Sequence, residues 1–266
     1  MWDAEAIRLG LPTRRIGHFI VALEEVSSTN DEAAKLAERG APEGAAVVAE
    51  QQLRGRGRLG RHWESPKGVG IWTSVVLRPF ISSPQAPLLS LLAAVAAAEA
   101  IEETTSLPVQ IKWPNDLFLK ERKAGGILAE LSIEGMSIRH LVLGIGINVN
   151  HCPDDFSMEL RPSAISLRMA LGRPVPRLSL LRSLYLKLDH WYDHFLVEGS
   201  RPVLDQYRRR CLTLEKTVEV KSGDGVFLGD AIDLGPGGEL LVKLSNGEVR
   251  SVLAGEATLR IESRAL

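Results

Sequence analysis

The sequence predicts an α+β protein in two parts, a larger mixed unit over residues 1–212 and a small all-β unit over 213–266. Three observations lead there. Runs of strand period alternate with helical runs as far as about Leu212. From Thr213 only short β runs follow, separated by glycine-rich turns. The 266 residues exceed one domain of roughly 150, and a chain of that length buries a sizeable core without covalent staples.

Residues 18–26 place Phe19, Val21 and Leu23 on one strand face. The hydroxyl-rich turn Ser27-Ser28-Thr29-Asn30 then opens a helix. Thr29 and Glu32 have capping-box spacing, and Ala33, Leu36 and Ala37 recur at helical intervals up to Gly40. Short apolar strands are expected at 45–50 and 69–77, on either side of an Arg/Gly loop. Residues 87–104 form a helix that is apolar nearly all round, which predicts burial against a sheet. Four strands follow, at 109–112, 117–120, 126–133 and 138–149. Helices are expected at 163–171 and 178–196, the second with Leu181, Leu184, Leu188, Trp191 and Phe195 in one stripe. A third closes at Arg208-Arg209-Arg210, where cations suit the C-terminal dipole. Five β runs (218–220, 226–234, 240–244, 249–253 and 258–261) then predict a small barrel, with Pro236-Gly237-Gly238 and Ser245-Asn246-Gly247 as turns.

Composition excludes several classes. Basic and acidic residues nearly cancel, 32 against 33, so the chain as a whole is neither a polyanion-seeking basic protein nor a disordered acidic one. The segment from Thr213 onward is itself net acidic. Cys152 and Cys211 have no metal spacing and make no disulfide framework, which points to a reducing cytoplasm. Met1 to Gly10 lacks the pattern of a secretion signal. The apolar run 88–98 falls short of the ~20 residues of a membrane span, so no membrane association is expected.

The most unusual stretch is Arg54-Gly55-Arg56-Gly57-Arg58-Leu59-Gly60-Arg61. Glycine lets the backbone approach a ligand closely, and arginine offers permanently charged, bidentate donors. The loop suits a compact anion such as a nucleotide phosphate. A solvated basic loop and a disordered nucleic-acid contact are the alternatives. Gln51-Gln52 and Trp63 tether its two ends to strand-like segments, as in a lid. Polar residues also interrupt β structure at Lys112-Trp113-Pro114-Asn115-Asp116, where Asn and Asp could simply form a turn. Lys123 precedes Ala124-Gly125-Gly126, and Gly144-Ile145-Gly146-Ile147-Asn148 places glycines at period two. Such strand glycines mark a surface against which something else packs.

Taken together, Ser27-Ser28-Thr29-Asn30, Gln52 with the Arg/Gly loop, the Lys112–Asp116 run, Arg122-Lys123 and Gly144 to Asn148 resemble the biotin–protein ligases, in the right order. The tail resembles that family's SH3-like C-terminal domain. The resemblance implies a catalytic domain related to class II aminoacyl-tRNA synthetases, with a mixed sheet and flanking helices. It implies that biotin is activated by ATP as biotinyl-AMP and passed to a lysine of a carboxyl-carrier domain. Ser28, Thr29, Asn30 and Gln52 would hold the biotin ring. Arg56, Gly57 and Arg58 would clasp carboxylate and phosphate, and Lys123 would neutralise the charge between them, so that Arg56, Arg58 and Lys123 are the catalytic set. Gly126, Gly144 and Gly146 would leave room for biotin. Arg58, Arg61, Asn115, Asp116 and Asn148 would face ATP, with Mg²⁺ near Asn115 and Asp116. Arg54, Leu59 and Ile165 depart from the family pattern. Too few residues precede the first strand for a helix-turn-helix, so DNA binding is not expected, and a homodimer is left open. The rival readings are a lipoate–protein ligase, which shares the adenylate chemistry, and a nucleic-acid-binding module. The latter needs base-stacking aromatics beside the arginines and a basic tail. Only Trp63 is near, and the tail is acidic.

Overall fold

A seven-stranded mixed sheet carries the larger part of the chain. The computed structural model describes residues 1–134, 137–223, 225–253 and 255–259. In chain order these residues form α1 (Ala4–Arg8), β1 (Ile20–Val26), α2 (Thr29–Glu38), β2 (Ala46–Gln52), β3 (Gly70–Leu77) and α3 (Pro87–Thr105). Next come β4 (Gln110–Lys112), β5 (Asp116–Leu119), β6 (Arg122–Glu134), β7 (Ser137–Asn148), α4 (Leu167–Leu171), α5 (Arg177–Glu198) and α6 (Arg201–Arg210). The tail adds β8 (Lys216–Ser222), β9 (Gly225–Leu234), β10 (Leu240–Lys243), β11 (Val249–Val252) and β12 (Glu256–Leu259).

The large sheet runs β1-β2-β3-β7-β6-β5-β4. Only β1 and β2 are parallel, because α2 carries the chain back between them; the other neighbours are antiparallel. Both faces are covered. Ala33 and Ala37 of α2 pack on Val47, Val76 and Val142. On the other face α3 lies between the sheet and α5, which explains why it is apolar all round. It belongs to the one helix among the described residues long and apolar enough to cross a membrane, and 72% of that window is buried inside the fold. The predicted stripe of α5 is buried, from Leu181 to Phe195. On the same helix Asp189 accepts the backbone N–H groups of Arg14, Arg15 and Ile16 at 2.7–2.9 Å, fastening the N-terminal segment to α5.

Local readings are corrected in four places. Phe19 is exposed, and β1 packs on both sides, Val21 and Leu23 toward α2 and Ile20 and Ala22 toward the main core. Thr29 does not cap α2: Ser28 holds the cap position, Thr29 is the first helical residue, and its hydroxyl turns to Gln52. The helix expected over 163–171 is only α4, since Ser163 and Ala164 are tied to Leu160 and Ser166 becomes the cap, accepting from the Met169 N–H. The strand at 117–120 stops at Leu119, because Lys120 and Glu121 take φ values of 47° and 62° to turn the chain.

The tail forms a five-stranded antiparallel sheet, β11-β10-β9-β8-β12. Its strands match the expected runs. Pairing between β11 and β12 that would close a barrel is not found among the described residues. Arg260 and Ile261, expected in the last strand, lie outside the described residues, as do 262–266. Both cysteines are free thiols.

Candidate active site

A cleft of about 390 Å³ opens where several strand ends of the large sheet meet the Arg/Gly loop. It is lined by every residue to which the resemblance gives a binding or catalytic role. Ser28, Thr29, Asn30 and Gln52 are at one end. Arg56, Gly57, Arg58 and Arg61 come from the loop, and Asn115, Asp116 and Lys123 from the β4–β5 turn and the start of β6. Gly126, Gly144, Gly146 and Asn148 are on the sheet.

The end formed by α2 and β2 is lined by uncharged, closely hydrogen-bonded side chains. Gln52 Oε1 accepts from the Thr29 N–H at 2.8 Å and from its hydroxyl at 3.0 Å, and Gln52 Nε2 donates to Ser65 Oγ at 2.9 Å. The buried Ser74 Oγ lies 2.7 Å from Thr29 Oγ1 and 2.6 Å from Asn30 Oδ1. Ser28 is buried, and its hydroxyl makes no cap bond.

The strand glycines are needed here for close approach. A Cβ on Gly144 would stand 2.2 Å from Asn30 Oδ1, and one on Gly146 would stand 2.8 Å from Trp63 Nε1. The space over these glycines is therefore held by the Asn30 amide and the Trp63 indole. Trp63 also meets Trp72 edge-on at 6.5 Å, and its buried Nε1 has no hydrogen-bond partner.

The other end is charged. Lys123 Nζ is 2.7 Å from Asp116 Oδ1 and 5.2 Å from the Trp63 ring centre. Its backbone is clamped on both sides, the N–H to Ser163 O at 2.8 Å and the carbonyl to the Ile165 N–H at 3.0 Å. Asn148 Nδ2 adds contacts of 3.5 Å to Lys123 O and 3.3 Å to Ile165 O, so it braces the turn that presents the lysine. Ile165, a departure from the family pattern, is thus a buried strut. Arg58 donates to Asn115 Oδ1 at 3.3 Å, while the Asn115 amide donates to Ile127 O. Burial lowers the pKa of Arg58, with Asp116 and Glu256 opposing. Lys112 is lowered by burial too, again against Asp116. Arg58 stays protonated regardless.

The loop itself is stapled rather than free. Its arms are bridged in antiparallel fashion at Arg56–His62 and Gln52–Ser65, and Arg58–Gly60 form a single tight turn. Leu59, one of the two departures in this loop, takes φ 57° and faces solvent. Arg61 forms a fork-to-fork pair with Glu256 of β12, with both contacts at 2.7 Å. Arg56, expected to clasp a ligand, is engaged by Asp31 and Glu130.

Sequence reasoning quoted Lys112 without giving it a role, and missed Glu130, the apolar wall of Phe156, Leu160 and Ala164, and the contribution of Glu256 to Thr258. One signal was available: counting by two along β6 from Gly126 puts Leu128 and Glu130 on the same face. Behind the wall, His151 stacks on Phe156 at 4.8 Å with neither ring nitrogen partnered, and burial lowers its pKa to about 4. Among the described residues no group of three His, Cys, Asp or Glu side chains could hold a metal ion.

Known proteins resemble this chain in sequence and in fold. Residues 22–148 match the Biotin/lipoate A/B protein ligase family, and residues 213–260 match the biotin protein ligase C-terminal domain. Over 241 residues the chain is 37% identical to the bifunctional ligase/repressor BirA of Bacillus subtilis, covering 91% of this chain and 74% of that protein. It is 33% identical over 243 residues to the biotin–[acetyl-CoA-carboxylase] ligase of Mycobacterium tuberculosis, covering 87% and 85%. The biotin protein ligase of Aquifex aeolicus, solved in complex with biotin and ATP, superposes with a TM-score of 0.79 at 32% identity, over 91% of this chain and 99% of that one. The fold, the two matched segments and these relatives agree, and the chain belongs to the biotin protein ligase family.

Proposed function

We propose that this protein activates biotin with ATP and transfers the biotinyl group to a lysine of a biotin carboxyl-carrier domain. The observation that carries this reading is the division of one cleft into a neutral hydrogen-bonding end and a cationic end. The first suits an uncharged ureido ring. The second suits a carboxylate meeting a phosphate, because Arg58, Lys112 and Lys123 line it together. In the first step a biotin carboxylate oxygen bonds to the α-phosphorus of ATP, and the bond to pyrophosphate breaks. In the second, an acceptor lysine amine attacks the acyl carbon, forms the amide and releases AMP. The substrate carboxylate is the nucleophile, so the protein needs only to position groups and stabilise charge.

In this reading Thr29, Asn30 and Gln52 orient the ring, with the Ser28 hydroxyl as a further donor or acceptor. Lys123, held by its clamped backbone, neutralises charge between carboxylate and α-phosphate. Of the loop arginines that line the cleft, Arg58 is the one with donors to spare, since among the described residues its guanidinium bonds only to the neutral Asn115. Mg²⁺ commonly keeps its waters and binds through one or two carboxylates plus substrate phosphates, and Asp116 with the Asn115 amide beside it fits that limited role. When bound with ATP, the ion would supply charge neutralisation on the phosphates. The Arg61–Glu256 pair supports a role for the C-terminal sheet in shaping the phosphate end. A DNA-binding role is not required, because Arg56, Arg58 and Arg61 of the loop line the cleft. Two free thiols suit a reducing cytoplasm.

Biotin-dependent exchange of pyrophosphate into ATP tests the first step, and labelling of a carrier domain tests the second. Exchange with biotin and transfer to the carrier are expected. Exchange with lipoate instead of biotin would assign the chain to the related ligase, and exchange with neither would sink adenylation.

A further inference from the structure

Arg56 and Arg58 are two residues apart on one loop but meet opposite surroundings. Arg58 has a single neutral partner. Arg56 is gripped by carboxylates from two different elements: Nη1 lies 2.7 Å from Asp31 Oδ1 on α2, and Nη2 lies 3.1 Å from both carboxylate oxygens of Glu130 on β6. The planar guanidinium fork matches this double grip in a way an ammonium could not. Burial lowers the Arg56 pKa, but the two carboxylates outweigh it and raise the value overall.

Glu130 is also tied to the ring end of the cleft through Asn30. Its Oε2 accepts from Asn30 Nδ2 at 2.6 Å, and Asn30 Oδ1 in turn lies 2.6 Å from Ser74 Oγ. A continuous polar path thus runs from β3 through Asn30 and Glu130 to the root of the loop. Asn30 is 4% exposed, so this path is anchored in the core rather than floating on the surface.

We propose that Asp31 and Glu130 are positioning residues that fix Arg56 as the hinge staple of the loop. They hold the loop over the cleft with Arg58 turned inward, and so set how long the acyl-adenylate is kept from solvent. Arg56 then acts through its own carboxylates rather than on the reacting atoms. The inference rests on the ligase reading.

The test uses the full chain with Asp31→Asn, Glu130→Gln and the double variant. Glu130→Gln keeps an oxygen for Asn30 Nδ2 and removes only the charge, and Asp31 lies on a partly exposed helix face, so both singles are expected to fold. Biotinyl-adenylate is formed on each protein from labelled biotin and ATP, and its release is followed after a chase with unlabelled biotin, over a series of salt concentrations. Release is expected to quicken about threefold in each single variant and about tenfold in the double, the scale of partly exposed ion pairs. The parent's release should also rise more steeply with salt than the double variant's, because screening removes an attraction that the variant no longer has. A purely structural weakening would not flatten that slope. Adenylate held as long in the double variant as in the parent, or released faster with the parent's salt slope, would overturn the proposal. A parent that fails biotin-dependent pyrophosphate exchange would instead count against the ligase reading.

Discussion

At the neutral end of the cleft, the side chains of Thr29, Asn30, Gln52, Ser65 and Ser74 are hydrogen-bonded to one another before any ligand arrives. At the charged end, Arg58 and Lys112 have no carboxylate in ion-pair contact among the described residues, and burial lowers the pKa of each. In the proposed reading, the difference gives each end its own task. A preformed neutral network recognises a ring by shape and hydrogen-bond geometry, where an unpartnered polar group costs about 1–3 kcal/mol. Partly desolvated cations store interaction capacity that is released when negative charge develops. Specificity is therefore expected to reside at one end and rate at the other.

Three changes break or sharpen that division. Lys123→Ala removes a cation from the charged end and should slow single-turnover adenylate formation by about 10²–10³-fold, the scale for losing one donor to developing charge. Biotin affinity should change far less. Equal losses in binding and rate would erase the division. Gly144→Ala strikes the neutral end directly. Its Cβ meets Asn30 Oδ1, and overpacking of this kind costs about 1–3 kcal/mol. Calorimetry should report weaker biotin binding with pyrophosphate exchange near parental at saturating biotin, whereas parental affinity would mean that the Asn30 network is not the ring site.

The smallest expected effect lies behind the wall, at His151. Its folded pKa is depressed from 6.5 to about 4, so the unfolded chain takes up this proton first as pH falls. The stability it contributes is complete above about pH 6.5 and is lost progressively toward pH 4, about 3 kcal/mol at most. His151→Phe keeps the stacking on Phe156 and should flatten the acid limb of a urea-denaturation series between those pH values. Adenylation at pH 7.5 should barely move. An unchanged acid limb would show that His151 is not the group titrating there.

How far the site was legible depended on what kind of information each residue carries. Lys123, Asn115 and the Arg/Gly loop stood out because such residues at strand ends and turns have no use in a core. Glu130 did not, because a carboxylate on a long strand reads as an ordinary solvent-facing residue until Arg56 is placed beside it. Trp63 was noted only as a tether, and its seat over Gly146 required both segments to be brought together. Thr29 illustrates the reverse error. Its local spacing to Glu32 fits a cap, but Gln52, 23 residues away, offers the hydroxyl a better-placed acceptor.

The sequence by itself determined the two-part α+β organisation, the order of the strands and of the longer helices, and most of the polar residues that line the cleft. Periodicity and turn chemistry are local properties, written in neighbouring residues. Tertiary structure alone decided which cation is tied to which carboxylate. Arg56 goes to Asp31 and Glu130, Arg61 to Glu256 across the two sheets, and Arg58 is left facing Asn115. In sequence the three arginines are equivalent. Coulomb attraction and hydrogen bonding act over a few ångströms, and only the folded sheet sets those distances.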